Sequence, residues 1–447
     1  MNWKPTKLSE FLTERDGRIK CESANQLGLQ RIKKIDFSGN IHLDAETDTK
    51  TDMIRVKSGD LVVSGINAAK GAIAVHAEDE DILATIHYSA YEFNPDRISV
   101  DFLKWFFKSS EFSDLLREQI PGGIKTELKP KHILPLQVKL PKLSEQIKLA
   151  ERLNRFRLEQ LKLEHEITHQ QSLLAKLKQA ILQEAIQGKL TADWRADHPE
   201  VEPASQLLLR IQAEKARLIA DKKLRPEKPL PKITPAEIPF DIPKGWEWCR
   251  MGWIINEKPR NGISLKPVDY VTNAKTLKLS ATSSGTFDGS QTKYLDLNVE
   301  ADSYLWLRDG DILIQRANSL ELVGTAAVYR GANSEFIYPD LMMKCRAVFS
   351  NSTDYLHHVL SARSTRVYFK SKASGSAGNM PKVNQDTVIN TLIPFPPLAE
   401  QVAIVERVET LMTTCRALEA EIEQSRTHAA DLLQAVLKEA FAPASMD

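Results

Sequence analysis

The chain has 447 residues, with 60 basic and 59 acidic side chains and a formal net charge of +1. Near-neutrality means that no overall basic field indicates nucleic-acid binding, although local basic loops remain compatible with it. Four widely spaced cysteines without C-x-x-C spacing predict neither a zinc site nor a disulfide framework. No apolar signal segment or bilayer-length run is present, so a cytoplasmic location is expected.

Residues 1–142 are predicted to form a first globular domain of mixed α/β type with a strand-rich core. Apolar runs bounded by turn residues predict strands at 60–64 and 71–75, and an apolar face predicts one helix over 100–119. A polar loop lies between the two strands, and a glycine-rich basic loop covers residues 121–131.

Residues 143–187 are predicted to form a long helix, and the same pattern returns at 398–442. The two stretches align over 44 positions at a constant shift of 255 with 16 identities, which indicates an internal duplication. Apolar residues recur at alternating threes and fours, for example at Leu153, Leu163 and Leu177, as in a coiled-coil seam. Each helix should be about 65 Å long. Two matching seams in one chain are expected to pack on each other.

Residues 188–243 are predicted to be a linker. A short helix is expected at 204–223, and six prolines between 225 and 243 predict an extended, semi-stiff tether. A proline-rich stretch is also compatible with a ligand for SH3-type domains, but a domain linker is the preferred interpretation.

Residues 244–397 are predicted to form a second domain with the plan of the first. Residues 246–251 echo 3–8, 310–314 answer 59–63, and 324–328 answer 71–75. In the loop after the first matched strand, Ala317-Asn318-Ser319 answers Ile66-Asn67-Ala68. The chain is therefore interpreted as domain–helix–domain–helix, with diverged domains suited to two different targets.

Motifs for catalysis are missing from the sequence. It has no G-x-x-x-x-G-K-[ST] phosphate loop, no G-x-G-x-x-G and no Asn/Asp-Pro-Pro-Tyr/Phe motif of amino-methyltransferases. The Glu-x-Lys at 127–129 is a trivial match to a nuclease motif, and the histidines lack metal spacing. No catalytic, cofactor-binding or metal-binding residue is predicted, so the chain is interpreted as a reader.

The start of each long helix resembles a known family. Leu143-x-Glu145-Gln146 and Leu398-x-Glu400-Gln401, each preceded by a proline-ended strand, are similar to the specificity (S) subunit of type I restriction-modification enzymes. The stretches LTADWRADHPE, IPKGWEW and 310–324 carry the same resemblance, which covers essentially the whole chain. The first domain departs from the pattern, because it lacks the Leu-Glu-Leu-Val-Gly stretch and the Gly-x-x-Pro-Lys match of the second.

The resemblance implies an α+β fold with two target-recognition domains separated by two long helices in an antiparallel coiled coil, related by an internal pseudo-twofold repeat. It implies a non-catalytic DNA specificity subunit that reads a bipartite double-stranded target, one half-site per domain. Two modification (methyltransferase) subunits with S-adenosylmethionine and two restriction (translocase/endonuclease) subunits with ATP and Mg²⁺ would be its partners. Half-sites one turn apart are separated by about 34 Å, within the length of such helices.

Candidate DNA contacts are loop residues whose side chains suit base edges or phosphates. In the first domain they are Asn67, Lys70, Lys125, Lys129 and Lys131. In the second domain they are Arg260, Asn261, Ser264, Lys266, Arg316, Asn318, Ser319, Asn379, Lys382 and Asn384. Candidate partner-docking residues on the helices are Glu145, Gln146, Glu151, Arg152, Glu400, Gln401, Glu406 and Arg407. The alternatives are a coiled-coil adaptor with two protein-binding heads and no DNA role, and, third, a self-contained methyltransferase or nuclease.

Overall fold

The structure, a computed structural model, describes residues 3–36, 39–44, 48–68, 72–119, 128–226, 228–256, 258–375 and 380–441. The chain forms two compact units, one of Met1–Gln170 with Glu421–Asp447 and the other of Gln171–Ala420. Both long helices therefore contribute residues to each unit. Within the described ranges, no helix is long and apolar enough to cross a membrane.

The first unit contains eleven of the strands that the structure describes. Its elements up to the long helix are β1 (Lys4–Lys7), β2 (Leu12–Glu14), β3 (Arg18–Ile19), α1 (Cys21–Leu27), β4 (Ile32–Ile35), β5 (Ile41–Leu43), β6 (Met53–Val56), β7 (Leu61–Ser64), β8 (Ile73–Val75), β9 (Ile82–Thr85), β10 (Tyr88–Phe93), α2 (Val100–Phe106), α3 (Ser110–Gln119), α4 (Pro130–Ile133), β11 (Gln137–Leu140) and α5 (Leu143–Ile186).

An antiparallel sheet of order β2-β10-β7-β8 is the centre of the first unit, and a second sheet has the order β3-β6-β9. Strand β1 pairs with β11 in the register Lys4↔Leu140, which brings the start of the domain to its end. The buried core joins Phe102 and Phe106 of α2 to Leu61 of β7 and to Leu153 of α5. Burial of these large apolar side chains is the main force that holds the helices on the sheet.

The second unit has these elements: α6 (Ala192–Asp197), α7 (Ala204–Ala220), β12 (Glu247–Arg250), α8 (Met251–Ile254), β13 (Arg260–Asn261), β14 (Pro267–Val268), β15 (Ala274–Leu277), β16 (Thr292–Leu295), β17 (Ile312–Gln315), β18 (Ala326–Val328), β19 (Met342–Cys345), α9 (Thr353–Ser361), α10 (Arg363–Lys372), α11 (Gln385–Ile389), β20 (Leu392–Phe395) and α12 (Leu398–Phe441). Its sheets repeat the plan of the first unit: β13-β19-β17-β18 matches β2-β10-β7-β8, and β12 pairs with β20 as β1 pairs with β11. The predicted duplication and the α+β fold are confirmed.

A Gly-Asp turn precedes the matched strands β7 and β17. Gly59 and Gly310 have φ of +85° and +83°, a left-handed conformation that favours glycine. Each following aspartate is buried and accepts a 2.8 Å bond from the backbone N–H three residues earlier, Asp60 from Lys57 and Asp311 from Arg308. Both carboxylates also pair with an arginine from elsewhere in their own unit, so the turn is held in the same way twice.

The two long helices pack antiparallel within each unit. In the first unit, Nε2 of Gln160 on α5 donates a 3.2 Å bond to the carbonyl of Ala429 on α12. In the second unit, Lys178 of α5 pairs with Glu419 of α12 at 2.6 Å. Residues at seven-residue intervals are buried on α5, namely Leu153, Gln160, Ile167, Leu174 and Ile181. This is one layer of a heptad repeat.

The prediction that the second apolar layer of the seam is buried between the two helices is wrong. Leu163 and Leu177 on α5 are 43% and 45% exposed, and Leu418 and Leu432 on α12 are 41% and 50% exposed. A pair of helices covers only one narrow stripe on each, so the next apolar stripe stays open. The antiparallel helix pair predicted from the sequence is confirmed. Only one of the two apolar layers expected in its seam is buried.

The single helix expected over 100–119 is instead two helices, α2 and α3. The hydroxyl of Ser109 donates to the carbonyl of Phe106 at 2.6 Å and accepts from the N–H of Phe112 at 3.3 Å. This buried serine therefore ends the first helix and caps the second, which is a usual role for serine at a helix start.

The proline-rich stretch also differs from the extended tether that we expected, because it packs on the second unit. Arg250 is 3% exposed, and its guanidinium donates to the carbonyl of Pro231 at 2.8 Å and to Glu237 at 2.8 Å. A hydrogen bond from the Thr234 backbone N–H, together with the Arg250 guanidinium, lowers the pKa of Glu237 to about 2. These contacts fix the linker on the domain that follows it.

Candidate nucleic-acid interface

In the second unit, the loop after β17 lies against the segment that leads into α11. The N–H of Val383 donates to the carbonyl of Arg316 at 2.9 Å, and the N–H of Asn318 donates to the carbonyl of Pro381 at 3.3 Å. Ala317 and Lys382 form an isolated β-bridge. The structure thus brings Lys382 close to Arg316 and Asn318, from which it is more than sixty residues away in sequence.

A third segment, which contains Asp340, joins this group. Nη1 of Arg316 donates to the Asp340 carbonyl at 3.4 Å, and Oγ of Ser264 donates to Oδ1 of Asp340 at 2.5 Å. Next to Ser264, a Cβ added at Gly262 would lie 1.9 Å from the carbonyl of Tyr338, so only glycine fits there. Asp340 was missed by sequence reasoning, because no local pattern reveals which loops the sheet brings together.

The polar side chains of this group are partly committed to internal bonds. Nδ2 of Asn318 donates to Oε1 of the buried Gln315 at 2.6 Å, and Oδ1 of Asn318 accepts from the N–H of Ser319. Oδ1 of Asn384 accepts from the N–H of Thr387 at 2.7 Å, so this residue caps α11. These bonds fix the direction of each amide, which a site for selective readout requires.

Arg260, Asn261 and Lys266 lie towards the edge of the same unit. Arg260 and Asn261 form β13, which pairs with Lys344 and Met343 of β19 at the edge of the four-stranded sheet. The guanidinium of Arg260 lies 4.9 Å from the ring centre of Tyr304, and Lys266 is exposed. They share a sheet with the Arg316 group but belong to its outer strand and the loop beyond it.

In the first unit, Gly65 joins the corresponding segments. Its N–H donates to the carbonyl of His87 at 2.8 Å, and its carbonyl accepts from the N–H of Leu128 at 2.7 Å. Asn67 is half-buried in this loop, while Lys129 and Lys131 are exposed at the start of α4. Lys70 and Lys125 of this unit, and Asn379 of the second, lie outside the described residues.

The two units make the same backbone contact with different side chains. The bond from Leu128 to Gly65 corresponds to the bond from Val383 to Arg316, because each acceptor directly follows the matched strand β7 or β17. In each unit an asparagine lies two residues after the acceptor, Asn67 in the first unit and Asn318 in the second. Position by position, Gly65-Ile66-Asn67 therefore stands in the place of Arg316-Ala317-Asn318.

Three of the predicted docking residues are buried and act inside the molecule. Gln146 and Gln401 are 1% and 0% exposed, and the Nε2 of each donates a 3.0 Å bond to a proline carbonyl five residues upstream, at Pro141 and Pro396. Since those side chains are enclosed, the prediction that they contact a partner is corrected: they fix the entry into each long helix.

Glu400 is the third buried residue of that prediction, with 0% exposure. Its carboxylate accepts bonds from the Thr191 hydroxyl and the Trp246 indole, each at 2.8 Å, and pairs with Arg195. Glu145, Glu151, Arg152 and Glu406 are exposed, as a docking role requires, whereas Arg407 is exposed and pairs with Asp193 at 2.6 Å. That hydrogen bond from Arg407 lowers the pKa of Asp193 to about 2.

Comparison with known proteins connects this architecture to a family. A model of the type I restriction modification DNA specificity domain matches residues 269–425, which include the Asp340 and Arg316 segments. The specificity subunit of the type I restriction enzyme EcoEI from Escherichia coli is 30% identical over 264 residues, 58% of this chain and 44% of that protein. The chain is therefore similar to the specificity subunits of type I restriction-modification enzymes. The EcoAI specificity subunit of Escherichia coli is 31% identical over 265 residues, 58% of this chain and 43% of that protein.

The matched region of the chain spans less than half the length of those two relatives. A solved chain from work on complex assembly and conformational transition of the type I R-M system superposes with a TM-score of 0.60 at 15% identity. That superposition covers 98% of this chain and 97% of the solved one, so it shows the same fold over almost the full length.

Proposed function

We propose that this chain reads a bipartite DNA target, with one half-site read by each unit. The observation that carries the proposal is the matched loop contact, Leu128 with Gly65 in one unit and Val383 with Arg316 in the other. A shared backbone frame that presents different side chains suits two readers of different sequences. Guanine is commonly read by arginine, adenine by asparagine or glutamine, and phosphates attract lysine, which are the side chains on these loops.

We further propose that each unit docks one modification subunit on its open helix stripe. The first unit exposes Leu163 of α5 and Leu432 of α12, and the second exposes Leu177 of α5 and Leu418 of α12. With the shift of 255, Leu163 corresponds to Leu418 and Leu177 to Leu432, so the duplication relates the two pairs with the helices exchanged. Because these leucines occupy an apolar heptad layer that the helix pair leaves uncovered, an apolar helix of the partner would complete the bundle. Two equal surfaces would then bind two equal subunits.

In this proposal the chemistry belongs to the partners and the chain has no catalytic activity of its own. The modification subunits would bind S-adenosylmethionine and methylate the DNA. The restriction subunits would use ATP and Mg²⁺ for translocation and cleavage. The specificity subunit would supply only the choice of sequence and the assembly surfaces.

The test is co-expression of this chain with a type I modification subunit, followed by single-molecule methylation mapping of the host DNA. Methylation of one bipartite motif, absent when this chain is omitted, is the expected result and gives both half-sites. A stable complex that adds no methylation would contradict DNA reading and favour the adaptor function instead.

A further inference from the structure

Two isoleucines of the first unit are more than half exposed beside the candidate DNA contacts. Ile66 follows β7 and is 57% exposed, and Ile86 lies in the turn between β9 and β10 and is 54% exposed. Large aliphatic side chains that lie together on an exposed surface commonly mark a binding site.

The backbone of Gly65 holds these isoleucines on one surface. Ile66 follows Gly65 directly, and Ile86 precedes His87, whose carbonyl accepts the Gly65 N–H at 2.8 Å. The Gly65 carbonyl accepts from Leu128, the residue before Lys129. The backbone hydrogen bonds of Gly65 therefore place the two isoleucines near the exposed lysines at the start of α4.

The surroundings of the pair suit DNA rather than a second protein. Lys129 and Lys131 are exposed and positively charged, which complements phosphates on either side of a groove. Asn67 adds a side chain that can pair with adenine. Lysines flanking a small apolar patch are a less favourable setting for a protein interface, whose buried core is depleted of lysine.

The second unit lacks this feature at the matched position. Ala317 stands where the first unit has Ile66, and it is 0% exposed. Arg316 stands where the first unit has Gly65. Residues that make the two duplicated units recognise different half-sites should differ between those units. An exposed isoleucine that only the first unit has at this position meets that expectation.

We propose that Ile66 and Ile86 read the 5-methyl groups of thymine in the half-site bound by the first unit. The thymine methyl is the apolar group that base pairs present in the major groove, and aliphatic side chains contact it without hydrogen bonds. This inference rests on the proposed DNA-reading function. It predicts thymine within the first half-site, whereas the second unit has an arginine suited to guanine.

The experiment uses the complex with the modification subunit and the mapped target as a synthetic duplex. Thymines of one half-site at a time are replaced by deoxyuridine, which removes the methyl group and keeps base pairing. We expect the wild-type complex to bind about fourfold more weakly for each contacted methyl removed from the first half-site. The Ile66→Ala/Ile86→Ala double variant should bind the thymine and deoxyuridine duplexes equally.

The matched control is Leu27→Ala, which removes an exposed aliphatic side chain on α1. This variant should retain the wild-type response to deoxyuridine in the first half-site. A first half-site without thymine, equal binding of both duplexes by the wild-type complex, or a double variant that still discriminates would overturn the inference. Failure of the proposed function is a different result, namely no sequence-specific binding or methylation by the wild-type complex.

Discussion

The indole Nε1 of Trp246 donates a 2.8 Å hydrogen bond to Oε2 of Glu400, 154 residues away in sequence. Three stretches that carry the family resemblance therefore meet at one carboxylate: LTADWR through Thr191 and Arg195, KGW through Trp246, and L-x-E-Q through Glu400 itself. The matched residues of the first unit do not repeat this contact, because Glu145 is exposed and the buried Nε1 of Trp3 has no partner.

This asymmetry predicts unequal effects of the same substitution in the two copies. Glu400→Ala should lower the free energy of unfolding by about 3 kcal/mol, because it leaves a partly buried arginine and a buried indole without their acceptor. Glu145→Ala should change it by less than about 0.5 kcal/mol, as is usual for exposed positions. Urea unfolding of the two variants measures the difference. Equal losses would mean that the Glu400 network adds no stability.

Arg316 is predicted to read one half-site only. Arg316→Ala should cost about 1–3 kcal/mol of binding at one position of the second half-site, if the guanidinium pairs with a guanine edge. Lys382→Ala, beside it in the structure, should weaken binding to all sequences and lower the salt dependence, as a phosphate contact does. Binding titrations on single-base variants of the target distinguish them. A uniform loss for Arg316→Ala would identify a phosphate contact instead.

The exposed leucines of α5 and α12 in each unit are predicted to bind one modification subunit. Leu163→Ala/Leu432→Ala and Leu177→Ala/Leu418→Ala should each reduce the complex from two bound subunits to one, since each pair belongs to a different unit. Native mass spectrometry counts the bound subunits. Leu158→Ala is the matched control, because Leu158 is 59% exposed on α5 but its counterpart in the other copy is Thr413. Two subunits retained by both double variants would exclude this docking surface.

The helix pair is predicted to set the length of the unread spacer between the half-sites. One heptad inserted at the middle of both helices keeps the seven-residue spacing of buried positions such as Ile167 and Leu174 and adds about 10 Å to each helix. The tolerated spacer should then grow by about three base pairs. Methylation mapping reads the new spacer directly, and an unchanged spacer would show that the helices do not act as a ruler.

Acid is predicted to destabilise the second unit through His358. This side chain is 6% exposed, its Nε2 has no hydrogen-bond partner, and burial lowers its pKa to about 4. The unfolded chain, with an ordinary histidine pKa near 6.5, binds the proton more readily, so stability is complete above pH 6.5 and falls as the pH decreases towards 4. The loss should reach about 3 kcal/mol. His358→Leu should flatten the stability profile over that window, and an unchanged slope in urea unfolding would contradict the assignment.

The sequence determined the parts of this protein that depend on short or regular spacing. The bounds of both long helices, the duplication and the matched strands β7 and β17 were all visible, because helix periodicity and apolar runs depend on neighbouring residues. The family resemblance was visible for the same reason, since its motifs are short and local.

Only the tertiary structure decided what those motifs do. Gln146, Gln401 and Glu400 read as surface groups of a helix start, yet long-range packing encloses them and gives them internal partners. The same packing leaves Leu163 and Leu418 open although the sequence placed them in the seam, and it brings Ser264 and Arg316 to Asp340. Burial is a property of contacts between distant segments, so a one-dimensional pattern shows which side chains are apolar or polar but not which of them meet.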